Sequence, residues 1–69
     1  GTVRNRQKSM FNIVSTLAAD NNGIAQHNDV LNEAERHKID RSTAEDILEK
    51  FHQEGKLFRP GGYGTHGIP

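Results

Sequence analysis

The stretch from Asp40 to Tyr63, DRSTAEDILEKFHQEGKLFRPGGY, admits very few folds. Ser42 and Glu45 have the spacing of a capping box, in which the serine oxygen accepts the Glu45 N–H and the glutamate reaches back to the Ser42 N–H. Ala44, Ile47, Leu48 and Phe51 recur at i, i+3, i+4 and i+7, an apolar stripe on one helix face. Gly55 stands where a left-handed residue ends such a helix, which sets its span at 42–54. Lys56 to Arg59 then reads as a short strand stopped by Pro60. Gly61-Gly62 supplies a turn and Tyr63 begins the return, a hairpin over 56–59 and 63–65.

Two further helices precede this unit. Met10, Phe11, Val14, Leu17 and Ala18 share a face that Ile13 widens, predicting a helix over roughly 6–20. Val3 and Gln7 fall on the same face if it starts a turn earlier. Asp20-Asn21-Asn22-Gly23 ends it, with Asn22 or Gly23 left-handed. Ile24-Ala25 is too short for an independent strand but long enough to lie against the hairpin. Asn28 is the expected cap of a helix over 28–37, with Asp29 in its first turn and Arg36, His37 and Lys38 near its negative end. Val30, Leu31 and Ala34 are its buried face. Ile39 plugs the core in the turn from Lys38 to Arg41, whose length suits a helix-turn-helix.

Helix, bridge, helix, turn, helix and ribbon make a winged helix-turn-helix, mainly α with a small β-hairpin. Residues 1–8, with Arg4, Arg6 and Lys8, read as a linker or tail from a preceding domain, 9–65 as the domain, and 66–69 as a C-terminal tail. The chain lacks a starting Met and reads as a module cut from a longer protein, with Gly1-Thr2 as a cloning remnant. Its 69 residues include 17 large apolar ones, enough for one core, and no cysteine to cross-link it. No apolar run approaches the roughly 20 residues that span a bilayer.

The ordinary work of this fold is to place the third helix in the DNA major groove. Here the outward face of that helix carries Thr43, Asp46, Glu49, Lys50 and Gln53, with Glu45 beside it. Carboxylates facing phosphates reverse the gain from counterion release, and a formal net charge of zero adds no long-range attraction. Asp46, Glu49, Lys50 and Gln53 therefore form either a solvated surface or a candidate protein-docking face, and direct base readout is disfavoured. Arg41, Lys56, Arg59 and Tyr63 form a more cationic patch suited to weak nucleic-acid contact. Phe58 is expected half exposed, against Tyr63.

His27, His37, His52 and His66 include no His-x3-His pair on one helix, and no cysteine supplements them. They read as structural residues at element edges, and no metal or other cofactor is expected. The chain has no phosphate-binding glycine loop, nucleophile elbow or sheltered carboxylate pair, so no catalytic residues are assigned.

Ala44 to Phe51, followed by Glu54-Gly55-Lys56-Leu57-Phe58-Arg59-Pro60-Gly61, resembles the close of the C-terminal winged-helix domain of archaeal MCM replicative helicases. Asp29 to Glu35 resembles that domain's second helix, and the basic segment entering the first helix resembles a linker from the ATPase ring. The charge-poor Gly-Gly tip and the glycine-rich segment after Tyr63 depart from that pattern. The resemblance implies a non-catalytic regulatory appendage, monomeric when isolated, that contacts the other domains of its helicase and a replication initiator protein. It further implies a cytoplasmic, nucleoid-associated location. The competing reading is the DNA-binding domain of a winged-helix transcription regulator, and a third is a purely structural interaction module.

Overall fold

The stripe Met10–Val14–Ala18 is the seam on which the chain closes, since all three side chains are buried against the other helices. The computed structural model describes residues 2–69, with side chains from Asn5 onward. Expectations placed on Gly1, Val3 and Arg4 lie outside the described side chains. Helix α1 spans Thr2–Asp20, strand β1 Ala25–Gln26, α2 His27–Arg36, α3 Arg41–Gln53 and β2 Thr65–His66. The molecule is mainly helical with a small antiparallel two-stranded sheet. Its α1 begins earlier than 6, so the segment read as a linker or tail is helical from Thr2.

All three helices end in the same way. The N–H of Gly23, Ile39 and Lys56 donates to the carbonyl of Ala18, Ala34 and Phe51 respectively, each reaching back five residues. A left-handed residue precedes each donor: Asn22, Lys38 and Gly55, at φ 56°, 63° and 75°. This is the Schellman arrangement, which satisfies carbonyls that the helix itself leaves open. It also drives Ile39 inward, where it is 3% exposed and fills the α2–α3 turn as expected. Lysine is a costlier occupant than glycine of a left-handed position.

The helix starts differ from expectation. Asp40, not Ser42, caps α3: its carboxylate accepts the Thr43 N–H at 3.3 Å and the Thr43 hydroxyl at 2.6 Å. Those bonds hold the Asp40 carboxyl below its ordinary pKa, the hydroxyl bond contributing most. Ser42 is thereby drawn inside the helix, and Glu45 turns away toward His27. Asn28 likewise does not cap α2. The N-cap is Gln26, without a side-chain cap bond, and the His27 N–H donates instead to the Gly64 carbonyl at 2.8 Å.

Strand β1 pairs antiparallel with β2 in the register Ala25↔His66 and Gln26↔Thr65, so the Ile24-Ala25 bridge does enter a sheet. Phe58 joins Gly67 through two backbone hydrogen bonds of 3.0 and 2.9 Å. The expected hairpin of 56–59 with 63–65 is corrected accordingly. Gly62 and Gly64 have positive φ, and Thr65 Oγ1 both accepts from Gly61 N–H and donates to the Gly62 carbonyl. Those bonds stretch the turn to residue 64 and delay the return strand to Thr65. His66 and Gly67, expected in a tail, are buried and stitched to both Ala25 and Phe58.

The core comprises Met10, Ile13, Val14 and Ala18 of α1, Ala25 of β1, Val30, Leu31 and Ala34 of α2, Ala44, Ile47, Leu48 and Phe51 of α3, with Ile39 and Leu57. Phe11 meets Phe51 edge-to-face at a centroid distance of 5.7 Å, the arrangement favoured by ring quadrupoles.

Candidate functional site

Helix α3 and the 56–67 ribbon share one side of the molecule, and the structure sorts the sequence-derived candidates there into three groups. Asp46, Glu49, Lys50 and Gln53 are all exposed on α3, opposite Ala44, Ile47, Leu48 and Phe51. Gln53 Nε2 donates to Glu49 Oε1 at 3.5 Å. The Asp46–Lys50 pair that the i,i+4 spacing suggests is not formed among the described residues.

The cationic candidates are exposed too, but two of them already face carboxylates. Lys56 Nζ lies 3.5 Å from Glu54 and Arg59 lies 3.9 Å from Glu49. Arg59 also covers the Tyr63 ring at 5.6 Å. Tyr63 is 99% exposed and does not pack on Phe58 as expected, because the lengthened turn carries it outward. Phe58 instead lies over Gly67 and is 46% exposed. Arg41, in the first turn of α3, is exposed at the far end of the helix from the ribbon.

The third group was not visible in sequence. His27, His52 and His66, read as separate edge residues, converge. His27 Nδ1 is 2.9 Å from His66 Nε2, and His52 Nε2 is 2.7 Å from His66 Nδ1. Glu45 Oε2 lies 3.4 Å from His27 Nε2 and closes the row. The row lines a groove of about 260 Å³ between α3 and the ribbon, with Glu49, Arg59 and Tyr63 on its walls. His66 sits 3% exposed at its centre. Burial pushes its pKa down to about 4, assisted by repulsion from His52, His27 and Arg59. His52 is lowered by burial and by Arg59. His37 stands apart at the end of α2, 3.6 Å from Glu33.

The row is built for proton sharing. His66 offers its two nitrogens to different neighbours, and their lone pairs diverge across the ring, so a single ion cannot take both. Among the described residues no group of three His, Asp or Glu side chains is arranged to hold a metal ion. The signal that sequence did contain is the spacing of Glu45 and His52 at i and i+7, which puts both on one side of α3. What it lacked was any local cue that His66 belongs to a strand. Among the described residues no helix is long and apolar enough to cross a membrane. No family model, curated protein or solved structure matches this chain.

Proposed function

We propose that this chain is a winged-helix module that acts through protein contacts rather than by reading DNA, in the manner of the C-terminal regulatory domain of an archaeal MCM helicase. In this reading α2 and α3 are the helix-turn-helix, and the 56–67 ribbon with β1 is the wing. The module has no active site of its own. It modulates the unwinding and ATPase activity of a parent helicase by touching its other domains and a replication initiator protein. The observation that carries the reading is the pairing of wing cations with acidic residues around α3: Arg59 with Glu49 and Lys56 with Glu54. With those charges engaged, the outward face of α3 is left with Asp46 and Lys50, which offset one another, and with Glu45 beside His27, so it offers phosphates no net positive charge. Non-specific protein–DNA affinity comes almost entirely from uncompensated Lys and Arg.

A salt-dependent titration with duplex DNA tests this. The expected dissociation constant lies at or above about 10⁻⁴ to 10⁻⁶ M at physiological salt, for any sequence. Nanomolar, sequence-selective binding would instead establish the transcription-regulator reading. In parallel, the double change Asp46→Lys, Glu49→Lys is expected to slow association with a basic partner surface, because exposed charges act mainly on encounter rate. In the parent helicase it is expected to alter initiator-dependent loading while leaving ATP binding intact. If deleting the domain changes unwinding but the double reversal does not, the docking face moves to Lys56, Arg59 and Tyr63. If neither has an effect, the regulatory reading fails.

A further inference from the structure

The Glu45–His27–His66–His52 row ties together elements that, among the described residues, meet nowhere else through side-chain hydrogen bonds: α3 through Glu45 and His52, α2 through His27, and β2 through His66. We infer that this row is a proton-counting latch, which holds the C-terminal strand and its ribbon against α2 and α3 while it carries no more than one positive charge, and lets them go when a second proton binds.

The limit follows from counting. Three imidazoles have six ring nitrogens, of which four are committed to the two N···N contacts. Each such contact requires one proton between its two nitrogens, whichever ring supplies it. With none, two lone pairs oppose each other; with two, the hydrogens collide. Only the outward nitrogens, His27 Nε2 and His52 Nδ1, remain free to gain a proton. The row therefore holds at most four ring protons, one more than three neutral imidazoles carry. A second positive charge on any of the three rings breaks the His27–His66 or the His66–His52 bond.

The surroundings decide where the first charge sits. Glu45 faces His27 Nε2, so a proton there completes an ion pair on the α2 side. Burial and then Arg59 of the ribbon oppose charge on His52, the Leu57 carbonyl and Glu49 favour it, and Arg59 opposes charge on His66 as well. Burial opposes charge at His66 most strongly. Tyr63 and Gly64 complete the lining of the groove. Glu45 thus stabilises a first charge at the α2 end of the row, and a second, arriving at His52 or His66, has no arrangement that keeps both N···N bonds. Opening returns the rings to solvent and to ordinary imidazole pKa values, so acid favours the open form. The turn that is freed with the strand carries the Gly64 carbonyl that receives the His27 N–H, together with the Arg59–Tyr63 pair.

The test is an NMR titration of the whole chain from pH 7.5 to 4.5. It follows the imidazole ring nitrogens together with the amides of Phe58, Thr65, His66 and Gly67. One ring of the row is expected to charge with the strand amides unmoved. Well below that step the opening constant should rise by up to about a hundredfold per pH unit, two protons, at His52 and His66, being taken up per opening. Ribbon amides should then lose exchange protection before those of α1. His52→Gln, whose amide can donate to or accept from His66 Nδ1, leaves His66 as the only site for the second proton and should move opening to lower pH. His37→Gln should leave the profile unchanged. Two rings charging while Thr65–Gly67 stay closed would overturn the latch. So would opening of His52→Gln at the wild-type pH, or loss of all amides in one global step.

Discussion

Gly67→Ala probes the part of the fold that differs most from its sequence reading. A Cβ on Gly67 would lie 2.9 Å from the Gly23 carbonyl oxygen, 3.0 Å from the Phe58 ring and 3.1 Å from the Pro60 ring. All three are tighter than ordinary van der Waals contact, and they do not yield equally. Phe58 is half exposed and can swing outward. The Gly23 carbonyl cannot, because the Gly23 N–H is fixed to Ala18 at 2.7 Å as part of the α1 stop. Overpacking a filled site costs about 1–3 kcal/mol, and a rigid backbone neighbour places this one in the upper half. Alanine also restricts the unfolded chain, which returns about 0.4–1 kcal/mol. The net loss is about 1–2.6 kcal/mol, against a total of about 3–10 kcal/mol at 0.05–0.15 kcal/mol per residue. For a domain of this size that lowers the melting temperature by roughly 5–15 °C. Far-UV circular dichroism with heat and urea measures it, and exchange of the Phe58 and Gly67 amides locates it. A variant melting at or above the wild-type temperature would mean that residue 67 is not wedged between the inter-helix bridge and the ribbon.

Phe51→Ala removes a side chain 3% exposed and its edge-to-face contact with Phe11, and should cost about 3–5 kcal/mol by urea unfolding; an unchanged midpoint would take Phe51 out of the core. Asp40→Ala should lower the melting temperature clearly while Ser42→Ala leaves it nearly fixed, because only Asp40 accepts the Thr43 N–H; the reverse order would restore the serine cap. Since His66 is lowered to about 4 in the folded state from an ordinary 6.5, the folded form binds fewer protons. Its contribution is complete above pH 6.5 and is lost as pH falls toward 4, a decrease of about 1–2 kcal/mol between pH 7.5 and 5. A urea midpoint that stays level over that interval would contradict the burial of His66.

What sequence made legible was whatever depends on neighbours along the chain. The stripes of Met10–Val14–Ala18 and Ala44–Leu48–Phe51 identify their buried faces, and Gly55 marks its helix end, because helix periodicity and stops are written within a few residues. The competition between Asp40 and Ser42 for the cap was harder to read, since both are good caps and the winner is set by Thr43, which binds Asp40 twice. The ribbon was misplaced because Gly62, Gly64 and Thr65 jointly lengthen a turn that Gly61-Gly62 alone would have made tight. The histidine row was hidden altogether. Its members are 25 and 14 positions apart in sequence, counting from 27 to 52 and from 52 to 66, and no local pattern brings them together. The acidic outer face of α3, by contrast, stands as read, with Asp46, Glu49, Lys50 and Gln53 all in solvent.

The pairing of β1 with β2 also shapes how the chain reaches its native state. Ala25 must find His66 and Gln26 must find Thr65 across about forty intervening residues, whereas helix turns form within about a microsecond from local bonds alone. Closing that long loop has an entropic cost that grows with its length and is met before the strand contacts form. On a ribosome, then, the three helices can assemble while the edge of Ala25–Gln26 still stands open. Only when residues 65–67 have emerged is that edge covered. Until then the nascent domain displays an unpaired strand edge and part of an open core, and a chaperone or a second nascent copy would find its opening there.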